Sequence, residues 1–190
     1  ASAALRDLAV SLGMSSGHKA ITPAMERQSS AFCQGLLRGL FDADGSVVGD
    51  HNKGVSVRLS QSDAILLETV QRLLQRLGIV STLYRERRPA GPRVLPDGRG
   101  GSATYGTAAQ HELVVSGANL PVFAERVGFA DTGKAQRLEQ LLGSYRRAFN
   151  RERFTATVES VTPDGEAPVY DVTVADVHAF DVNGLVVHNC

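Results

Sequence analysis

The chain has 190 residues, 43% of them hydrophobic and 21% charged, enough to bury the cores of one or two domains. Twenty basic residues balance twenty acidic ones, so no net charge directs the whole surface toward nucleic acid or anionic membrane, and any such surface is local. The two cysteines, Cys33 and Cys190, are too few for a disulfide framework and read as free thiols of a reducing compartment. With no apolar run long enough for a membrane span and no signal-like start, the expected location is the cytoplasm and no membrane partner is expected.

The chain opens in helical spacing: Leu5, Leu8, Ala9 and Leu12 share a face and Gly13 ends the run, the start expected of a segment cut from inside a longer protein. The next helix is expected over about 29–41. In it Ala31, Gly35, Gly39 and Ala43 recur at every fourth position, a stripe of small side chains that lets two helix backbones approach. It runs out into Asp42, Ala43, Asp44 and Gly45. Residues 54–62 alternate Val55, Val57 and Leu59 with Ser56, Arg58 and Ser60, the pattern of a strand with one buried face. Ser62 is expected to cap a helix whose apolar face is Ile65, Leu66, Val70, Leu73, Leu74 and Leu77, with Gly78 as its stop.

Residues 79–87 return as a strand. Residues 89–107, with Pro89, Pro92, Pro96 and a cluster of glycines, read as a long polar loop carrying Arg93 and Arg99. A further strand over 111–117 leads into helices around 119–128 and 133–149, the last with Leu138, Leu141, Leu142, Tyr145 and Phe149 on one side. After Asn150 the helical periods vanish. Residues 153–161, 169–174, 179–182 and 185–188 read as short strands, with Asn183-Gly184 as a two-residue hairpin turn between the last two. A domain boundary is expected near residue 150, and no solenoid-length repeat is present.

Asp42 and Asp44 stand at the C-terminal end of a helix, where the dipole disfavours acids. A divalent cation gives such acids a purpose. Hard cations such as Mg²⁺ take one or two carboxylates together with water and phosphate oxygens, and phosphodiester cleavage needs a metal to activate water and neutralise developing charge. A helix end followed by a polar turn is the plainer alternative for these residues taken alone.

The wider stretch, LRGLFDADG over residues 37–45, resembles the motif of the LAGLIDADG homing endonucleases at seven of nine positions, with Arg38 and Phe41 as the departures. The resemblance implies an α+β fold of order αββαββα, motif helices that pack through their small residues, and a curved sheet that lies in the major groove of double-stranded DNA. It also implies a metal ion, Mg²⁺, at Asp44, and leaves the role of Asp42 less defined. Arg58, Arg85, Arg87, Arg88, Arg93 and Arg99 then become candidates for phosphate and base contacts. Residues 120–141 resemble the closing block of intein-borne members of this family, with Lys134 at its lysine and a further candidate for DNA contact. Single-chain members carry two motif helices and this chain shows one, so either it begins after the first copy or two chains pair.

Residues 169–190 resemble the C-terminal splicing block of inteins, departing at Ala179 within His178-Ala179-Phe180. The resemblance implies that the Asn189 carboxamide attacks its own main-chain carbonyl, closing a succinimide and breaking the bond to Cys190. His188 assists by a hydrogen bond to that carbonyl or a proton to the departing nitrogen. His178 matches the block histidine, and Asp171 the aspartate that manages proton transfers around the thiol. Cys190 is then the first residue of the host flank and takes over the upstream acyl group. The N-terminal blocks are not found: Ala1 is no nucleophile, and His18, His51 and His111 lack the threonine at the family's offset.

The expectation is therefore the C-terminal part of an intein, most like those hosted in ribonucleotide reductases. It comprises a partial endonuclease domain over 1–150 and the last strands of an all-β, horseshoe-like Hint splicing domain over 151–190. Its expected partners are the missing N-terminal half, the host flanks and the DNA of the intein-less gene; splicing itself needs no cofactor. Two other readings stay open: a free-standing homing endonuclease or RNA maturase, and a non-catalytic DNA-binding module in which the motif only packs helices.

Overall fold

The structure, a computed structural model, describes residues 3–14, 20–50, 54–144, 157–170, 172–173, 176, 178–182 and 185–188. The chain divides into two units, Ala1–Asn150 and Arg151–Cys190. The first runs α1 (Ala3–Ser11), α2 (Pro23–Glu26), α3 (Ser30–Asp44), β1 (Gly45–Asp50), β2 (Gly54–Gln61), α4 (Ala64–Arg76), β3 (Thr82–Arg88), β4 (Gly91–Pro96), β5 (Ser102–Thr107), β6 (Gln110–Ser116), α5 (Asn119–Arg126) and α6 (Thr132–Gly143). The second holds a hairpin of β7 (Ala179–Val182) and β8 (Leu185–His188).

The expected α+β class is the one observed. An antiparallel sheet of order β1-β2-β6-β3 turns Val47, Val57, Leu59, Leu113 and Val115 into one core with Leu37 and Phe41 of α3, Leu67, Val70, Leu73 and Leu74 of α4, and Leu120 and Phe123 of α5. Each such side chain, fully buried, contributes about 1.5–3 kcal/mol. Phe41 and Phe123 meet edge to face with centroids 4.9 Å apart, an arrangement that adds to their burial. At the helix starts the Ser29 side chain accepts from Phe32 N, capping α3, and Glu26 of α2 grips Arg72 of α4 through two hydrogen bonds of 3.0 and 2.8 Å. That hydrogen-bonded carboxylate raises the pKa of the Arg72 guanidinium against an opposing effect of burial.

One strand is unmarked by local pattern, and three expectations change. The strand β1 directly follows α3, although its sequence GSVVGD carries little strand signal. Pairing with β2 makes it a strand, and a Cβ at Gly45 would stand 2.5 Å from the Phe41 carbonyl oxygen, so glycine permits the abrupt passage. The cap of α4 is Asp63, not Ser62: its side chain accepts from Ile65 N and Leu66 N. The buried face accordingly rotates, with Leu67 at 0% exposure and Ile65 at 73%.

Residues 89–107 are no loop: β4 and β5 pair as a hairpin of their own, Pro92 opposite Gly106 and Pro96 opposite Ser102. In a two-stranded sheet both strands are edges, so prolines are tolerated. The Asp97 carboxylate binds the turn by accepting from Arg99 N and Gly101 N at 2.8 and 2.9 Å. Residues 157–161, 169, 170, 172 and 173, expected within strands, are exposed and lie in no strand among the described residues; alternation sets a face, and a strand also needs a ladder. Among the described residues no helix is long and apolar enough to cross a membrane.

Candidate functional site

The C-terminal end of α3 separates its two acids. Arg38 and Asp42 lie one helical turn apart on the same side of α3, and both hold the connection between α5 and α6. Arg38 Nε donates to the Val127 carbonyl at 2.6 Å. The Asp42 carboxylate accepts from Ala130 N at 3.0 Å and Asp131 N at 3.1 Å. Asp131 in turn caps α6 by accepting from Lys134 N, and the Lys134 ammonium reaches back to the carbonyls of Phe41 and Asp42 at 3.2 and 2.5 Å, a cation at the negative end of α3. Arg38, a departure from the family motif, thus has a structural task. Asp42 spends its carboxylate on main chain.

Asp44 does not. It is exposed, and among the described residues its hydrogen-bond partner is the amide of Gln61, which donates to Oδ2 at 2.8 Å. Gln61 ends β2 on the side of the strand that carries Leu59, which brings it to the helix end. The sequence reading did not single it out; its period-two relation to Leu59 was the available signal. An open carboxylate beside a neutral amide suits a hard cation, which takes one or two acids and fills the remaining positions with water and substrate oxygens. Among the described residues no group of three or more His, Cys, Asp or Glu side chains could hold a metal.

Of the candidate arginines, Arg58 and Arg87 lie on the sheet face away from the core, whereas Arg85 turns to α4 and Arg93 and Arg99 belong to the separate β4–β5 hairpin. Arg58 Nη1 and Arg87 Nε lie 3.4 and 2.8 Å from the same oxygen of Glu112, and Arg87 also stacks over Tyr84, 4.6 Å from the ring centroid. Arg85 pairs with Glu68 at 2.8 Å. Arg88 ends β3 exposed; Arg93 sits on β4 with a 3.4 Å bond to the Pro89 carbonyl, and Arg99 occupies the exposed β4–β5 turn. Lys134, the other candidate for DNA contact, stands at the end of α3. The exposed stripe Ala31, Gly35, Gly39 and Ala43 has nothing within 4 Å of a Cβ built at Gly35 or Gly39.

In the second unit the β7–β8 register pairs Ala179 with His188, Phe180 with Val187 and Val182 with Leu185. That register puts His178, at φ +45°, next to the end of β8. The rings of His178 and His188 stack with centroids 6.3 Å apart and planes at 27°. Asp171, Asn189 and Cys190, like Asn183, Gly184, Tyr145, Phe149, His18 and His51, lie outside the described residues.

Helices on one face of an antiparallel sheet, Arg58 and Arg87 on its other face, and an acid-ended helix running directly into its edge strand define an α+β domain with an open, cation-bearing surface. The chain belongs to the LAGLIDADG-like domain family, which residues 31–128 match. The ribonucleoside-diphosphate reductase NrdEB subunit alpha of Bacillus subtilis (strain 168) is 31% identical over 100% of this chain and 18% of its own length. The corresponding subunit from Bacillus phage SPbeta matches to the same extent. A DNA polymerase of Thermococcus litoralis is 33% identical over 91% of this chain and 10% of its own length. The chain therefore spans less than a fifth of each of these relatives.

Proposed function

We propose that the chain is a segment of a protein-splicing intein carrying a LAGLIDADG homing endonuclease domain over residues 1 to about 150 and the last strands of the splicing domain over about 151 to 190. The observation that carries this reading is that nearly the whole chain recurs as a small part of two enzymes of unrelated activity, a reductase and a DNA polymerase. A stretch common to otherwise unrelated hosts is an inserted element rather than a piece of either activity. A phage among the carriers suits an element that moves.

For splicing, the stacked pair His178 and His188 supports the assignment of the chain end. The Cys190 thiolate attacks the carbonyl of an upstream thioester, forming a new thioester as the original carbon–sulfur bond breaks and its thiolate leaves. The Asn189 side-chain nitrogen then attacks the Asn189 carbonyl carbon, the bond to the Cys190 nitrogen breaks, and that nitrogen takes up a proton as the succinimide closes. His188 is the donor nearest in sequence to both atoms. His178 orders His188 by stacking, and Asp171 governs the protonation of the thiol. The freed Cys190 amine finally attacks its own thioester, leaving a peptide bond. The partners are the N-terminal half of the same intein and its host flanks, a ribonucleotide reductase being the preferred host.

For homing, Asp44 holds the cation, with Gln61 fixing the carboxylate. A bound Mg²⁺ supplies Lewis acidity for water activation and for the charge developing on the scissile phosphate. The sheet arginines face double-stranded DNA, and the small-residue stripe of α3 receives a second motif helix bearing a second acid.

The test fuses a reporter after Cys190, supplies the N-terminal half in trans and follows masses. Asn189→Ala abolishes release and ligation of the reporter; unchanged release sinks the splicing assignment.

A further inference from the structure

The bulge in β3 names a feature of the DNA target, an inference that rests on the DNA reading above. The ladder pairs Tyr84 with Glu112 and next Arg88 with Gln110, so Arg85, Glu86 and Arg87 stand opposite the single residue His111. A bulge of this kind re-aims side chains. Here it also places Glu86 at φ +49°, a left-handed conformation unfavourable for a glutamate. The strand β6 holds it there. The Glu86 N–H donates to Nδ1 of His111 at 3.0 Å, which leaves the imidazole proton on Nε2.

The next residue of β6, Glu112, points to the opposite face and forms an ion pair with Arg87, 2.8 Å from Nε, with only 12% of the Glu112 side chain exposed. The same carboxylate takes Arg58 at 3.4 Å, and the Tyr84 ring lies under the Arg87 guanidinium. Arg87 is thus ordered from three directions: the N–H of the preceding residue is held by His111, the guanidinium is ion-paired with Glu112, and it sits over the Tyr84 ring. Its terminal N–H groups take no acceptor among the described residues.

This degree of ordering separates base from phosphate recognition. A phosphate is attracted by any nearby cation, whereas reading a base edge needs a planar fork held in one orientation before binding. The edge formed by the two terminal nitrogens, turned away from the ion-paired Nε, matches the paired acceptors O6 and N7 that guanine alone presents in the major groove. We propose that Arg87 is a specificity-determining residue that reads one guanine of the target duplex, with Tyr84, His111 and Glu112 as the positioning residues that hold it. The less constrained Arg88, Arg93 and Arg99 supply phosphate attraction without base preference.

The experiment selects binding by the full chain from a randomised DNA duplex library, with sequencing of the enriched pool and thermal melts of each variant. The wild-type chain enriches a motif with an invariant guanine. Arg87→Lys keeps the charge but not the fork, and lowers the guanine preference at that position roughly tenfold or more. Glu112→Gln lowers preference at the same position, although it adds net positive charge. His111→Gln, which retains an acceptor for the Glu86 N–H, restores the preference that His111→Leu loses. If Arg87→Lys and Glu112→Gln, melting like the parent, enrich the parental motif unchanged, the assignment of Arg87 is overturned while DNA binding by the sheet stands. A wild-type chain that enriches no sequence overturns the assignment of Arg87, and one that retains no duplex at all overturns the DNA reading as well.

Discussion

Asp42 and Asp44 are separated by one residue in one motif, yet their removal has opposite consequences. Asp42→Ala removes the acceptor for two main-chain N–H groups, those of Ala130 and Asp131. Hydrogen bonds to a charged acceptor contribute about 1.5–3 kcal/mol each. The site is half-buried, so water recovers part of that, and relief of an acid at a helix C-terminus returns about 0.3–1 kcal/mol. The net loss is about 2 kcal/mol, a fall in Tm of about 4–8 °C for a chain of this length.

Asp44→Asn meets the other outcome. Its carboxylate is exposed and takes one side-chain amide, so the lost contact is about 0.5 kcal/mol and is offset by the same dipole relief. Melting stays within about 2 °C of the parent, whereas Mg²⁺-dependent cleavage of the intein-less gene vanishes. Circular-dichroism melts and a cleavage assay on both variants read the contrast. The division of labour between the acids is refuted if Asp42→Ala melts with the parent, or if Asp44→Asn unfolds several degrees earlier and still cleaves.

Gln61→Leu melts like the parent but lowers Mg²⁺-dependent cleavage about tenfold or more, as expected of a group that orients a metal-binding acid; parental cleavage would remove Gln61 from the site. His178→Ala slows release of a reporter placed after Cys190 by about 10²-fold, the scale of lost acid-base assistance, and a parental rate measured by mass spectrometry would refute its role. Gly49 has φ +118°, and an added Cβ would lie 1.9 Å from the Gly54 carbonyl oxygen, so Gly49→Ala shifts the urea midpoint down by more than about 1 kcal/mol of stability. Phe41→Ala, which empties a fully buried site against Phe123, costs about 3–5 kcal/mol in the same measurement.

Local signals placed most helices and the strands β2, β3 and β6, because their side chains carry a period that a buried face imposes whatever the partner. They failed where a partner decides. The segment GSVVGD becomes β1 only because β2 lies beside it, and the proline-bearing stretch after Arg88 becomes a hairpin because each of its strands satisfies the other. Residues 157–161 show the converse, a strand-like pattern that joins no ladder among the described residues.

The sequence by itself determined the motif acids, the small-residue stripe, the arginines of the sheet and the two histidines of the hairpin, since residue type and spacing state what chemistry a site can perform. Tertiary structure decided which of these groups are available. Asp42 and Asp44 are chemically identical in the sequence; the turn between α5 and α6, some ninety residues away, takes up one and leaves the other to Gln61. Arg58, Arg85 and Arg87 look equivalent until Glu68 and Glu112 come within 3.4 Å. Hydrogen bonds and ion pairs act over a few ångströms in space, a distance unrelated to separation along the chain, and so only the fold could assign them.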